Sequence, residues 1–203
     1  MEVFVYDFDG TIYDGDSSID FFMYVFKKNP GSILKIVPLL LYSFILYFCK
    51  RISKKTLKER YFSFLKYNTQ VDLLLKGFWE ENICKLKPWY LEKEDHSRDI
   101  IISASPEFLL HIPAQKIGVF KLIATKVDKE TGQFLSENCY GKEKLYRFEQ
   151  ECPEGRIVEF FSDTRSDSFL AVKARNAYLV KGYSKQKFFE EGESKCLNWK
   201  DIN

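Results

Sequence analysis

Asp7 and Asp9 stand two residues apart in Asp7-Phe8-Asp9-Gly10-Thr11, directly after the apolar run at residues 3–6. If that run is a strand, its period of two sends both carboxylates into one crevice and turns Phe8 the other way. Two carboxylates in one cleft can divide labour. One attacks phosphorus, while the other, held protonated, gives a proton to the leaving group and later takes one from water. Gly10 permits a tight turn, and Thr11 offers a hydroxyl and an amide to phosphate oxygens. An acidic turn capping the next helix would look the same, so the motif gains meaning from its company.

Three further segments supply that company. Ser103 ends the β-branched run Ile100, Ile101, Ile102 and brings a hydroxyl that can donate to a phosphoryl oxygen, although serine at such a place is also a common turn residue. Lys144 follows Gly141 by three residues near an expected helix start, where an ammonium group would offset the charge of nucleophile and phosphate. Lys142 is a rival on the same segment. Asp163 and Asp167 flank a strand-to-helix turn, and their hard oxygens suit magnesium, with Asp163 on the metal and Asp167 behind it. An aspartate helix cap is the bland reading of that turn.

The elements that must position these groups follow from the pattern. Residues 3–6 are apolar throughout, as a central parallel strand requires. From Ser17 to Lys87 the texture is helical, with breaks at Asn29-Pro30-Gly31, Arg51-Ile52-Ser53 and Asn68-Thr69-Gln70, which predicts about four helices and no strand. Strands are expected at 100–102, 121–125, 156–161 and 177–180, a hairpin at 128–134 with Gly132 in its turn, and helices after Pro106, from Gly141 and over 168–174. This order favours an α/β fold: a doubly wound parallel sheet with helices on both faces, and a site beyond the carboxyl ends of the strands. The expected division is a core of residues 1–15 and 88–203 and an all-helical cap, residues 16–87, inserted after the first strand. The last twenty or so residues are polar and expected to be loosely held.

Composition narrows the class. With 45% hydrophobic and 17% aromatic residues the chain can bury a core, and a net charge of +2 is too small to draw nucleic acid to the whole protein. Five cysteines with no Cys-x-x-Cys pair fit a reduced compartment better than a disulfide framework or a zinc site. The opening Met1-Glu2-Val3 lacks the basic start and apolar run of a secretory signal, so a cytoplasmic protein is expected.

Taken together and in order, Asp7 to Thr11, Ser103, Gly141 to Lys144 and Asp163 to Asp167 resemble the four motifs of the haloacid dehalogenase-like superfamily. The resemblance implies a Rossmann-like core and makes Asp7 the nucleophile and a magnesium ligand. It also makes the Asp9 carbonyl a ligand and the Asp9 carboxyl the acid and base, gives Ser103 and Lys144 to the phosphoryl group, and completes the metal site with Asp163. An aspartate at the nucleophile-plus-two position marks the phosphatases of the family, and a helical insertion between the first two motifs resembles the phosphoserine phosphatase-like group. Asp20-Phe21-Phe22, Lys27-Lys28-Asn29-Pro30 and Cys139-Tyr140-Gly141-Lys142-Glu143-Lys144 look like the bacterial phosphatidylglycerophosphatase C type. Ser162 departs from the glycine most members carry, and the stretch before Asp99 is short.

The insertion holds one more signal. Residues 36–49 form an almost wholly apolar helix, interrupted by Ser43 and bent by Pro38, too short at about 1.5 Å per residue to span a bilayer of about 30 Å. Nine lysines and arginines, from Lys27 to Arg60, surround it against Asp20 and Glu59. Such a helix suits peripheral contact with an anionic membrane and a lipid phosphate substrate; the alternatives are a cap packed on itself around a small soluble phosphomonoester, or a non-catalytic phosphate- or membrane-binding module.

Overall fold

The structure is a computed structural model that describes residues 1–189. Its sheet has the order β3-β2-β1-β4-β5-β6. The strands are β1 (Glu2–Tyr6), β2 (Asp99–Pro106), β3 (Lys121–Thr125), β4 (Arg156–Ser162), β5 (Asn176–Lys181) and β6 (Ser184–Lys187). The first five are mutually parallel and β6 pairs antiparallel with β5. Antiparallel β6 was not foreseen: its Ser-Lys-Gln-Lys sequence has no apolar alternation and is wholly exposed. The rest of the polar tail expected to be loose, residues 190–203, lies outside the described residues.

β1 is central because both its faces are covered. Val3 and Val5 point to one core with Ile100, Ile102, Phe148 and Leu170, while Tyr6 points to the other with Ile101, Leu109 and the insertion. Helices α8 (Lys142–Glu151) and α9 (Ser168–Lys173) supply the first layer, and α7 (Glu107–Ile117) the second. The chain leaves β1 for β2 on one side, and β4 flanks it on the other. That reversal creates a crevice at the carboxyl end of β1, the place where open α/β sheets bind ligands.

Between β1 and β2 the described residues form helices and turns without a strand of the sheet. The elements are α1 (Ser17–Lys28), α2 (Pro30–Leu34), α3 (Val37–Phe48), α4 (Lys54–Phe62), a 3-10 turn (Ser63–Tyr67), α5 (Val71–Asn82) and α6 (Pro88–Leu91). The expected breaks are there, and a further one between Leu34 and Val37 splits α2 from α3, so the helices outnumber the four expected. Asn29 ends α1 and Pro30 opens α2, while Ser53 caps α4 by accepting from the Thr56 amide at 3.1 Å. Pro38 does not bend α3 but sits in its first turn, where a missing N–H costs the helix nothing. No described helix is long and apolar enough to cross a membrane.

The hairpin-like stretch expected around 128–134 is short: Val127 and Phe134 form an antiparallel bridge, the Leu135 amide donates to the Lys126 carbonyl and the Asp128 amide to the Gln133 carbonyl, each at 2.8 Å, and Gly132 lies in the turn. The excursion between β3 and α8 also packs on the insertion. The Phe134 amide donates to Glu59 Oε1 at 3.2 Å, Lys129 meets Asp72 at 2.7 Å, and Gly132, at φ +74°, lies so close to the Phe62 carbonyl that a side chain there would collide with it.

Candidate active site

A cavity of about 610 Å³ opens over the carboxyl ends of β1, β2 and β4 and is walled on the far side by α1 and α4. Asp7 is the first residue past β1. Its amide donates to the Phe161 carbonyl at 2.8 Å, fixing it to β4, and Phe8 beneath it packs its ring against Tyr13 and Trp79. The Asp7 Oδ1 accepts from the Phe8 amide at 2.8 Å and pairs with Lys144 Nζ at 2.9 Å. Both partners hold the same oxygen, which leaves Oδ2 for the cavity.

Lys144 stands in the first turn of α8 and is 2% exposed, while Lys142 is exposed, its nitrogen 5.3 Å from the Phe169 ring centre. The Lys144 ammonium bridges two buried carboxylates, Asp7 and Asp167, the latter at 2.6 Å. Burial by itself would lower the Lys144 pKa, but the two neighbouring charges raise it, so the ammonium stays charged. Burial raises Asp7 against the pull of Lys144. The same Asp167 oxygen, Oδ2, also accepts from the Ser162 hydroxyl at 2.9 Å. The departure from glycine at 162 therefore supplies an anchor.

Asp9 faces the insertion. Its Oδ1 accepts from the Ser17 amide at the start of α1 at 2.7 Å, and its Oδ2 accepts from Ser105 Oγ at 2.5 Å. Burial, helped by the charge of Asp16, raises its pKa to about 6, with the Ser105 and Ser17 hydrogen bonds opposing the rise. Ser103 is buried on β2, its Oγ accepting from the Ser105 amide at 3.1 Å; its own proton has no acceptor among the described residues. Ser105 was missed in the sequence reading, although the strand period that selects Ser103 also selects the residue two further on.

Thr11 is not brought to the cavity. It is fully buried, its amide donates to the Phe8 carbonyl, and its hydroxyl is buried without a partner. The turn at Gly10 curls back on Phe8 and carries Thr11 out of the cavity lining. The cavity gains instead Lys54, Lys58 and Tyr61 from α4 and Tyr140 from the excursion. Lys58 donates to the Ala104 carbonyl and to Asn138 Oδ1, each at 3.1 Å. A charge-rich helix two turns long gives no sequence signal of which lysine turns inward.

Among the described residues no three His, Cys, Asp or Glu side chains cluster as a metal cage. The groups at the crevice form a sparser set that still suits magnesium. Asp163 lies so close over Gly10 that a Cβ there would strike its carboxylate, while the Asp9 carboxylate is occupied by Ser17 and Ser105. Two carboxylates, Asp7 and Asp163, and a main-chain carbonyl at Asp9 are hard oxygen donors, and magnesium keeps waters and phosphate oxygens for its other positions.

The fold and the place of its cavity are those of an open α/β enzyme working beyond its strand ends. The haloacid dehalogenase-like hydrolase family model matches residues 4–171, and the chain belongs to that family. The structure is similar to a protein of unknown function from Bordetella pertussis Tohama I, at a TM-score of 0.71 and 17% identity over 87% of this chain and 88% of that one. A phosphoserine phosphohydrolase-like protein from Francisella tularensis subsp. tularensis SCHU S4 matches at 0.53 and 17% over 87% and 86%. A probable phosphoserine phosphatase from Vibrio cholerae matches at 0.58 and 12% over 91% and 62%. None of the curated proteins compared matches the sequence.

Proposed function

We propose that the protein is a magnesium-dependent phosphomonoesterase that works through an aspartyl-phosphate on Asp7. The observation that carries this reading is the division between two neighbouring carboxyls. Asp7 keeps one oxygen on Lys144 and the Phe8 amide and the other toward the cavity, while Asp9, raised to about 6, keeps its proton to a higher pH than an ordinary carboxyl. In the first step Asp7 Oδ2 bonds to phosphorus as the phosphorus–ester oxygen bond breaks, and Asp9 gives its proton to the departing alkoxide. In the second, Asp9 takes a proton from the water that attacks the aspartyl-phosphate, so phosphate leaves and both side chains return to their starting states. Ser103 and Lys144 hold the phosphoryl oxygens, with Asp167 and Ser162 fixing Lys144. Asp7, Asp163 and the Asp9 carbonyl would hold magnesium, which supplies charge stabilisation to the phosphoryl group when bound.

The leaving group would rest against Lys54, Lys58 and Tyr61, which suits a substrate with a second anionic group. A lipid phosphate such as phosphatidylglycerophosphate has this character. A small soluble ester is the second reading, favoured by the fold shared with phosphoserine phosphatase-like proteins. Either way we place the enzyme in the cytoplasm. The test is a phosphatase screen with and without magnesium over phosphatidylglycerophosphate, lysophospholipid phosphates, phosphoserine and other soluble esters. Wild type should release phosphate and trap label as an acid-stable, hydroxylamine-sensitive adduct, and Asp7→Asn should do neither while keeping its melting temperature. Turnover by Asp7→Asn at the wild-type rate would end the proposal.

A further inference from the structure

Helix α3 is inside out. Its lone polar residue, Ser43, is fully buried against α4, where its hydroxyl accepts from Arg60 Nη1 at 3.0 Å and donates to the Leu39 carbonyl. Its apolar side chains face outward: Leu41 is 62% exposed, Ile45 61% and Phe48 80%, with Tyr42 and Phe44 beside them. Only a narrow inner stripe marked by Ile36 and Leu40 joins the core. A water-facing helix buries its apolar stripe and solvates the other, the reverse of this arrangement. Contiguous exposed apolar surface of this kind marks an interaction site.

We infer that this face of α3 seats the protein on an anionic lipid surface, lying in the plane of the headgroups. Charge argues for that occupant over a second copy or another protein. The helix bears no charge along its length, and Lys35, Lys50, Arg51 and Lys54 stand exposed just beyond its two ends. Between Asp20 and Glu59 the sequence has no acidic residue, so the rim of the apolar face is positive. An apolar strip with a basic rim is what binds the headgroup boundary of an anionic bilayer, whereas two copies meeting through this face would set like charges against each other. The twelve residues of α3 rise about 18 Å at 1.5 Å each, so the helix rests on the bilayer without crossing it. α3 packs directly on α4, and α4 supplies the lysines of the cavity wall, so docking brings that wall to the lipid surface. This deepens the phosphatase reading by naming where a phosphorylated lipid would enter.

The experiment is sedimentation of the full chain with phosphatidylcholine vesicles, with and without phosphatidylglycerol, at low and high salt. Wild type should pellet with the anionic vesicles, remain soluble with the neutral ones, and be released by salt. Leu41→Asp with Ile45→Asp, one turn apart on the exposed side, should weaken vesicle binding at least tenfold while leaving melting temperature and hydrolysis of a soluble ester unchanged. Lys50→Gln with Arg51→Gln should weaken binding to anionic vesicles alone. Wild type that stays soluble with anionic vesicles would overturn the inference. So would a dimer in analytical ultracentrifugation that the Leu41/Ile45 variant abolishes, since the face would then be covered by a second copy. Binding is read without turnover, so a chain that binds lipid yet hydrolyses nothing would refute the phosphatase reading and leave this one standing.

Discussion

Lys144 and Lys142 are two residues apart, chemically identical and differ in everything that follows. One is the buried counter-ion of Asp7 and Asp167; the other lies on the outer face of α8. Lys144→Ala should lower turnover by about 10²-fold or more, the usual loss when a group that stabilises the transition state is removed. It should also lower stability by about 3–5 kcal/mol, because two buried carboxylates lose their partner. Lys142→Ala should change stability by less than about 0.5 kcal/mol, as surface substitutions do, and leave the rate near wild type. Steady-state rates and thermal melts of the two variants decide this. Lys58 gives a pH dependence of its own. Burial lowers its pKa to about 8, with the neighbouring Lys54 adding to the effect. Its charge is therefore present below pH 8 and lost above, and KM for an anionic ester should climb between pH 7 and 9, separately from the fall in kcat that loss of the Asp9 proton brings. Lys58→Arg should flatten that climb, since a guanidinium stays charged throughout. A KM that ignores pH in wild type would remove Lys58 from substrate binding.

At the scale of elements, the excursion between β3 and α8 acts as a strap across the helical insertion. Gly132 touches the Phe62 backbone at positive φ, so Gly132→Ala meets both a left-handed penalty of about 1–2 kcal/mol and a collision with a carbonyl that cannot yield cheaply. A fall in melting temperature of at least about 4 °C is expected for a chain of this size. This strap is also where sequence reasoning stopped short. Gly132 advertised a turn between paired arms, and both are there, but nothing local says that Phe134 will donate to Glu59, seventy-five residues away. The apolar run before Asp7 and the Ile100 to Ile102 run were legible because packing on both faces leaves no polar residue to confuse the pattern. The sequence candidates at which chemistry and strand ends coincide, Asp7, Asp9, Ser103 and the 163–167 turn, line the same cavity. Thr11 does not line it, its side being set by how the Gly10 turn curls, and Lys54 and Lys58 of α4 do, a facing that depends on tertiary packing. Helix α3 was recognised as apolar, yet which of its sides meets water could not be read from a segment with one polar residue.

For the whole molecule the position of β1 has a consequence in time. It is made before every other strand of the sheet and ends in the sheet's middle, paired with Asp99, Ile100 and Ile101 on one side and with residues from Arg156 to Phe161 on the other. A growing chain must wait for most of its length to emerge before the second flank of β1 exists, with Val3 and Val5 bare on one edge until then. Such long-range parallel pairing is slow and leaves sticky surface open along the way. The insertion has no such wait, because α1 to α5 find their neighbours close in sequence. A chain ended at Gly155, just before β4, should therefore keep much of its helical circular dichroism but show no cooperative melt, and the complete chain should show one. Synthesis thus runs outward from the one strand that cannot settle until nearly everything else has been made.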